Sequence, residues 1–342
     1  MCPIRSIRRT AFSLALVCWS PPHFLQAKSL RGVAEYRSGD FQHARSDLQA
    51  EAERGNAEAQ AYLGFLFDLG QGVGQDYAQA VVWLQRGAEQ GNALAQTGLG
   101  QMFQSGQGVP QDFGTAAHWF RKAAEQGDAH AQFQLGEMFS VGDGVTLDRR
   151  EAAKWYLRSA AQGNDLAELR LGWIYDIGIG LDPDPPEAAK WYRLSAKAND
   201  AEAQCRLGRM LEEGRGLPRD LHAAISWYRR AADQGNTEAL WRLGTMYRDG
   251  DGVPENRSVA IALYRLSAGM DQEGHGWARP LMDTLFRHLT MPEFDRGQDL
   301  VSRIARGGAP LTSMVDAFEF HLALDSTVFP VYRNPCDFLG FP

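Results

Sequence analysis

Apolar and polar positions along this chain repeat with a period of 36 residues between Ala57 and Gln272. Leu63-Gly64 recurs at Leu99-Gly100, Leu135-Gly136, Leu171-Gly172, Leu207-Gly208 and Leu243-Gly244, with no insertion or deletion. The same step links Trp83, Trp119, Trp155, Trp191 and Trp227, until Leu263 breaks the series in the sixth copy. Gly-x-Gly pairs recur in every copy, from Gly70/Gly72 to Gly250/Gly252. A fixed period of this length marks a chain of stacked supersecondary units, each too small to bury its apolar face alone.

Each unit reads as two helices. Ala59, Leu63, Leu66 and Phe67 have the spacing of one buried helical face and predict a first helix, helix A. The Gly-x-Gly stops it, because glycine readily takes the left-handed conformation that ends a helix. Helix B is expected to start near Asp76, Asp112, Asp148, Asp184 and Asp220, whose carboxylates can cap exposed amides. It ends at Gly55, Gly91, Gly127, Gly163, Asn199 and Gly235; asparagine tolerates positive φ next best after glycine. A glycine inside helix A costs about 1 kcal/mol relative to alanine. Its presence at Gly64 and the five equivalent positions therefore predicts that helix B approaches too closely for a side chain there. The aromatic pairs Trp119-Phe120, Trp155-Tyr156, Trp191-Tyr192 and Trp227-Tyr228 are expected to fill the space between neighbouring units.

The residues A-x-A-Q-x-x-L-G…G-x-G-V…D…A…W-Y…A-A-x-Q-G-N resemble the Sel1-like repeat family, a tetratricopeptide-like branch of helical repeats. The resemblance covers roughly two thirds of the chain. It implies an all-α, right-handed solenoid of antiparallel helix pairs that serves as a protein-interaction scaffold: here six 36-residue repeats with atypical caps. Terminal repeats are expected to be atypical because one face has no neighbour. Residues 28–56 read as a shortened N-terminal capping repeat, 57–272 as the six repeats, 273–306 as C-terminal capping helices, and 307–342 as an apolar, proline-broken tail. A cysteine-rich branch of the family is linked to β-lactam binding. This chain lacks the periodic cysteines of that branch, and it has no Ser-x-x-Lys.

Residues 1–27 read as a signal peptide: Arg5, Arg8 and Arg9, then the apolar run Ala11–Trp19, then a cleavage site at Leu25-Gln26-Ala27. Nine apolar residues are too few to cross a bilayer, which takes about 20. The expected location is the bacterial periplasm, with a secreted protein or an Arg-rich mitochondrial presequence as the competing readings. Cleavage removes three of the 35 basic residues and none of the 42 acidic ones, taking the formal charge from -7 to -10. With no basic run past the N-terminus, nucleic acid is not an expected partner. Of the four cysteines only Cys205 and Cys336 remain, and their separation says nothing about whether they pair.

Catalytic and metal constellations are missing from the sequence: there is no H-E-x-x-H, C-x-x-C or G-x-S-x-G. Gly70-Gln71-Gly72-Val73-Gly74 imitates a phosphate loop and Asp249-Gly250-Asp251-Gly252 a calcium loop, but a loop recurring six times with variable charge is a turn. No cofactor and no metal are expected, and a periplasmic hydrolase or β-lactam-binding protein is the alternative from another functional class.

Comparing the repeats with one another separates folding from recognition. At about 100° per residue, the constant helix-A positions (Ala59, Gln60, Leu63, Gly64, Leu66, Phe67) share one arc. The variable ones (Glu58, Ala61, Tyr62, Phe65, Asp68, Leu69) share the other, which is expected to be free. On it the slot of Tyr62 becomes Arg170, Arg206 and Arg242, that of Phe65 becomes Trp173 and Arg209, and that of Ala61 becomes Phe133, Leu169 and Trp241. Arginine and tryptophan are over-represented at interaction hot spots. The candidate partner-binding residues are thus Arg170, Trp173, Arg206, Arg209, Trp241 and Arg242. Glu202 and Glu238 precede two of these arginines by four residues, the spacing of an ordinary helix ion pair, whereas Leu166 holds that place before Arg170. Arginines in register on adjacent helices repel unless an anion answers them, so the expected partner is a protein segment that is acidic and partly hydrophobic. No stable membrane insertion of the mature chain is expected.

The N-terminal reading is checked by sequencing the mature protein, which should begin near Lys28 and separate from the cytosol. Intact Met1 on the soluble cytosolic pool would contradict it.

Overall fold

The computed structural model describes residues 31–270 and 290–305, with Ser313 and Val315. The predicted signal peptide 1–27, residues 273–289 of the C-terminal cap, the rest of the tail and Cys336 lie outside the described residues. Among those described there are fifteen helices and no strand. A first, shorter pair is α1 (Arg31–Ser38) and α2 (Phe41–Glu53). The six repeats supply α3 (Ala57–Leu69) with α4 (Tyr77–Glu89), α5 (Ala93–Ser105) with α6 (Phe113–Glu125), and α7 (Ala129–Val141) with α8 (Arg149–Ala160). They continue with α9 (Asp165–Ile177) and α10 (Pro185–Lys197), α11 (Ala201–Glu213) and α12 (Leu221–Asp233), and α13 (Thr237–Asp249) and α14 (Arg257–Met270). A closing helix, α15, spans Met291–Ala305. The chain forms two compact units, one running to Ala131 with Asp143–Val145, the other comprising Gln132–Gly142 and the residues from Thr146 on.

The ends of the helices follow the predicted chemistry. Asp76 and Asp112 accept the backbone N–H three residues on at 3.0 Å, and Asp148, Asp184 and Asp220 cap their helices in the same way. Asn256 takes the equivalent role for α14. Helix A is capped as well, by Asn56, Asn92, Asp128, Asn164, Asp200 and Asn236, a second series that the hydrophobic pattern does not announce. Gly70 ends α3 with φ 67°, and Asn199 holds a φ of 73° at the slot where the other copies carry glycine. Gly72 has a packing role too, since a Cβ there would strike the Phe41 carbonyl at the start of α2.

Inside each repeat, helix B lies against the glycine of helix A. A Cβ on Gly64 would stand 2.6 Å from Leu84, on Gly136 2.7 Å from the Tyr156 ring, and on Gly208 2.8 Å from the Tyr228 ring. Phe120, Tyr156, Tyr192, Tyr228 and Tyr264 are all fully buried at this contact. Burying such a side chain is worth roughly 2–3 kcal/mol, more than the ~1 kcal/mol that a mid-helix glycine costs. The second aromatic of each pair therefore fills the space within its own repeat, not the space between repeats that the sequence suggested. Four of the five tryptophans of helix B carry a cation over the face one turn on, Trp191 with Leu194 there being the exception: Arg86 lies 4.6 Å from the Trp83 centroid and Arg158 4.4 Å from that of Trp155. The shortened first pair keeps the close approach, with Gly32 against Leu48, and Gly297 brings α15 onto Ile261 of α14.

Successive repeats are tied by a buried glutamine. Gln60 donates to the Ala52 carbonyl of the preceding pair at 3.0 Å and accepts from Gln90 at 2.7 Å. Gln96 does the same with Ala88 and Gln126, and Gln204 with Ala196 and Gln234.

The glycine contact sets a test of sign. Gly136→Ala gains helix propensity of about 1 kcal/mol but overpacks against Tyr156, at a cost of roughly 1–3 kcal/mol, so it should destabilise. Gly269→Ala on α14 meets nothing within 4 Å and should stabilise by about 0.5 kcal/mol. Urea unfolding of the two variants decides; stabilisation by both would remove the close approach as the reason for the glycine.

Candidate functional site

Consecutive A helices pack against each other within each unit, α3 on α5 and α9 on α11. Position six of one helix A thereby meets position nine of the helix A before it, a step of 33 residues. In the first unit this pair is Gly98 and Phe65, where a methyl on Gly98 would lie 2.9 Å from the ring. The supposedly free arc is therefore partly closed: Ala61, Tyr62, Phe65, Phe133, Leu169 and Cys205 are all buried.

In the second unit the same step brings the predicted residues together with acids. Arg170 makes two hydrogen bonds to Glu137, at 2.7 and 3.0 Å, so the anion missing at Leu166 comes from the preceding repeat. Arg206 binds Glu202 at 2.6 Å and reaches Glu238 at 3.9 Å. Arg209 lies 3.5 Å from Asp176 and 3.8 Å from Glu238, and Arg215 pairs with Asp176 as well. Arg242 joins Glu238 at 2.9 Å and Glu212 at 3.0 Å. Trp173 lies between two guanidinium groups, with Arg170 5.2 Å and Arg206 5.8 Å from its centroid, and Arg242 lies 4.8 Å over Trp241. All six candidate residues thus share one face. The unanswered repulsion expected of the arginines is absent, because five carboxylates balance five guanidiniums.

The tyrosines beneath helix A complete the arrangement. The Tyr156 hydroxyl donates to Glu137 and that of Tyr228 to Glu212, each at 2.5 Å, and Tyr192 reaches Asp176 at 3.3 Å. Burial, then the adjacent carboxylate, raises the Tyr156 hydroxyl above its ordinary range; burial alone is the leading cause at Tyr192 and Tyr228. Burial works against the charge of Arg170, yet the bonds and charge of Glu137 hold it above the usual arginine value. Burial likewise opposes the charge of Glu238, and Arg206 and Arg242 outweigh it, so that carboxyl titrates below its ordinary value. Such a face can hold a ligand by charge and flat apolar area. Cys205 beneath it is buried, and desolvation pushes its thiol well up. Among the described residues no cluster of His, Cys, Asp and Glu is placed to hold a metal ion, and no helix is long and apolar enough to cross a membrane.

Removing one member of a partly buried network leaves its partners uncompensated. Arg242, whose side chain is 14% exposed, is the test case: Arg242→Ala takes from Glu212 its guanidinium and from Glu238 its shortest ion pair, and should cost about 2 kcal/mol. Arg54→Ala, which breaks a pair whose arginine is 70% exposed, should cost no more than about 0.5 kcal/mol. Equal losses in thermal unfolding would show the network to be no more than surface charge.

Against known proteins, the Sel1 repeat model matches residues 57–92, 93–128, 129–164, 165–200, 201–236 and 237–271, in the register read from the sequence. A comparison with curated proteins finds no match. Among solved structures, a Sel1 repeat protein from Oxalobacter formigenes is 32% identical with a TM-score of 0.62, the match covering 69% of this chain and 94% of that one. A protective antigen of uropathogenic Escherichia coli strains, displaying an SLR fold, is 30% identical with a TM-score of 0.58 over 82% of this chain and 70% of its own. Sel1 repeats mediate protein–protein interactions. With six consecutive copies matched and both of these structures above 25% identity, the chain belongs to the Sel1 repeat family.

Proposed function

We propose that this protein is an exported, non-enzymatic adaptor that holds a segment of a partner protein against the helix-A face of its fourth to sixth repeats. The observation that carries this reading is the convergence of Arg170, Trp173, Arg206, Arg209, Trp241 and Arg242 on one face, where hot-spot residue types are concentrated in a partly exposed layer. The segment is acidic and partly hydrophobic. Its carboxylates exchange with Glu202, Glu212 or Glu238 at the arginines, and its apolar side chains rest on the indoles. Export is supported by the basic, apolar and cleavable character of residues 1–27, and an antigen among the relatives is in keeping with it.

The face is tested by photo-crosslinking in the native envelope. A photoreactive residue at Ile177 or Thr245, on the variable arc of helix A of the fourth and sixth repeats, should trap one discrete partner. The same group at Lys190 or Arg193, exposed on helix B, should not. Arg229 is unsuitable as a helix-B control, since it donates to the Tyr247 hydroxyl at 2.8 Å. Trp173→Ala should weaken capture by about 2 kcal/mol. Identical adducts from both faces would sink the assignment.

A further inference from the structure

The glutamine that ties a repeat to the one before it is replaced twice, by Leu240 in the sixth repeat and by one acid. At the slot of Gln60, Gln96, Gln132 and Gln204 the fourth repeat carries Glu168, and where those four copies offer the amide of Gln90, Gln126, Gln162 or Gln234 it has Ala198. Glu168 is buried like its sister glutamines, at 8% exposed against their 1% to 5%, and stands eight residues after Ala160, the spacing at which Gln60 meets Ala52 and Gln96 meets Ala88. Glutamine has an N–H to give to that carbonyl. A carboxylate has none, and it is isosteric with glutamine only when protonated.

We propose that Glu168 is a protonation-dependent clasp between the third and fourth repeats. Neutral, its carboxyl donates to the Ala160 carbonyl as the glutamine amides do; ionised, it gives the proton to water and the junction loosens. The local charges favour the neutral form. Asp165, one turn earlier on α9, adds a like charge, and Asp200 at the cap of α11 is itself raised by burial, then by Glu202 and Asp165. The cations on the packed helices are engaged elsewhere: Arg158 of α8 over Trp155, Lys190 of α10 with Glu187, Arg206 of α11 with Glu202, and Arg170 of α9 with Glu137 of α7. Lys197 ends α10 in solvent. Burial first, then Asp165, pushes the Glu168 carboxyl up to about 7. The folded value is raised, so protonation favours the fold. That contribution is complete below the ordinary value of 4.5 and fades as pH rises through about 7.

Hydrogen exchange of the full chain tests this between about pH 5 and about pH 8. After correction for intrinsic rates, the amides of the last turn of α8 and the first turn of α9 should lose roughly tenfold or more of their protection in the wild type. They should lose none in Glu168→Gln, nor in Glu168→Gln with Ala198→Gln, which rebuilds the whole clasp. The junction at Gln204 is the internal control and should not respond. The same pH profile in wild type and Glu168→Gln, or a wild-type junction indifferent to pH, overturns the proposal.

Discussion

Helix A carries no side chain at the point where helix B crosses it, and a large side chain occupies the room so released. Everything else in a repeat follows from this approach. The ring or leucine of helix B is buried completely because nothing on helix A keeps it out, and the two short helices share a core that neither would form alone. The same device recurs outside the six repeats, at Gly32 and at Gly297, with different partners and a different loop length. It defines a helix pair here more reliably than the Gly-x-Gly loop does.

The approach also delivers chemistry to the far side of helix A. A tyrosine lying under the glycine is long enough for its hydroxyl to emerge beside the next turn, where Glu137, Asp176 and Glu212 accept it. Those acids in turn hold the arginines of the following repeat. The polar face of repeats three to six is therefore an extension of the core, fixed from below by buried phenols. The first repeat, with Leu84 in place of tyrosine, has no such support, and there Asp68 is pushed up to about 6 by burial.

Much of the fold was legible because 36 divides the repeat region without remainder: register, helix number, the helix-B caps and the glycine contact all follow from a constant step. The candidate face was legible in its members and not in their environment. A search for ion-pair partners within one helix looks four residues away, and by that measure Arg170 stands alone. The stack places its neighbour 33 residues back, a distance set by how one helix A settles on the last. The burial of Cys205 and Leu169 was hidden for the same reason, since variability among copies marks contact with a variable neighbour as readily as contact with solvent.

The 33-residue step has a consequence for how the array can change in length. Repeats four, five and six all carry arginine at position six and an acid or arginine at position twelve. Excising repeat four whole would set Arg206 opposite Glu137 by that step, and excising repeat five would set Arg242 opposite Asp176 by the 30-residue separation that now joins it to Glu212. Either junction keeps a salt link. Repeats one and two, with Tyr62 and Gly98 at that position, offer no such exchange. Loss of a whole unit from the arginine-bearing repeats would therefore leave their chain of salt links unbroken, whereas the first two repeats have no such chain to preserve.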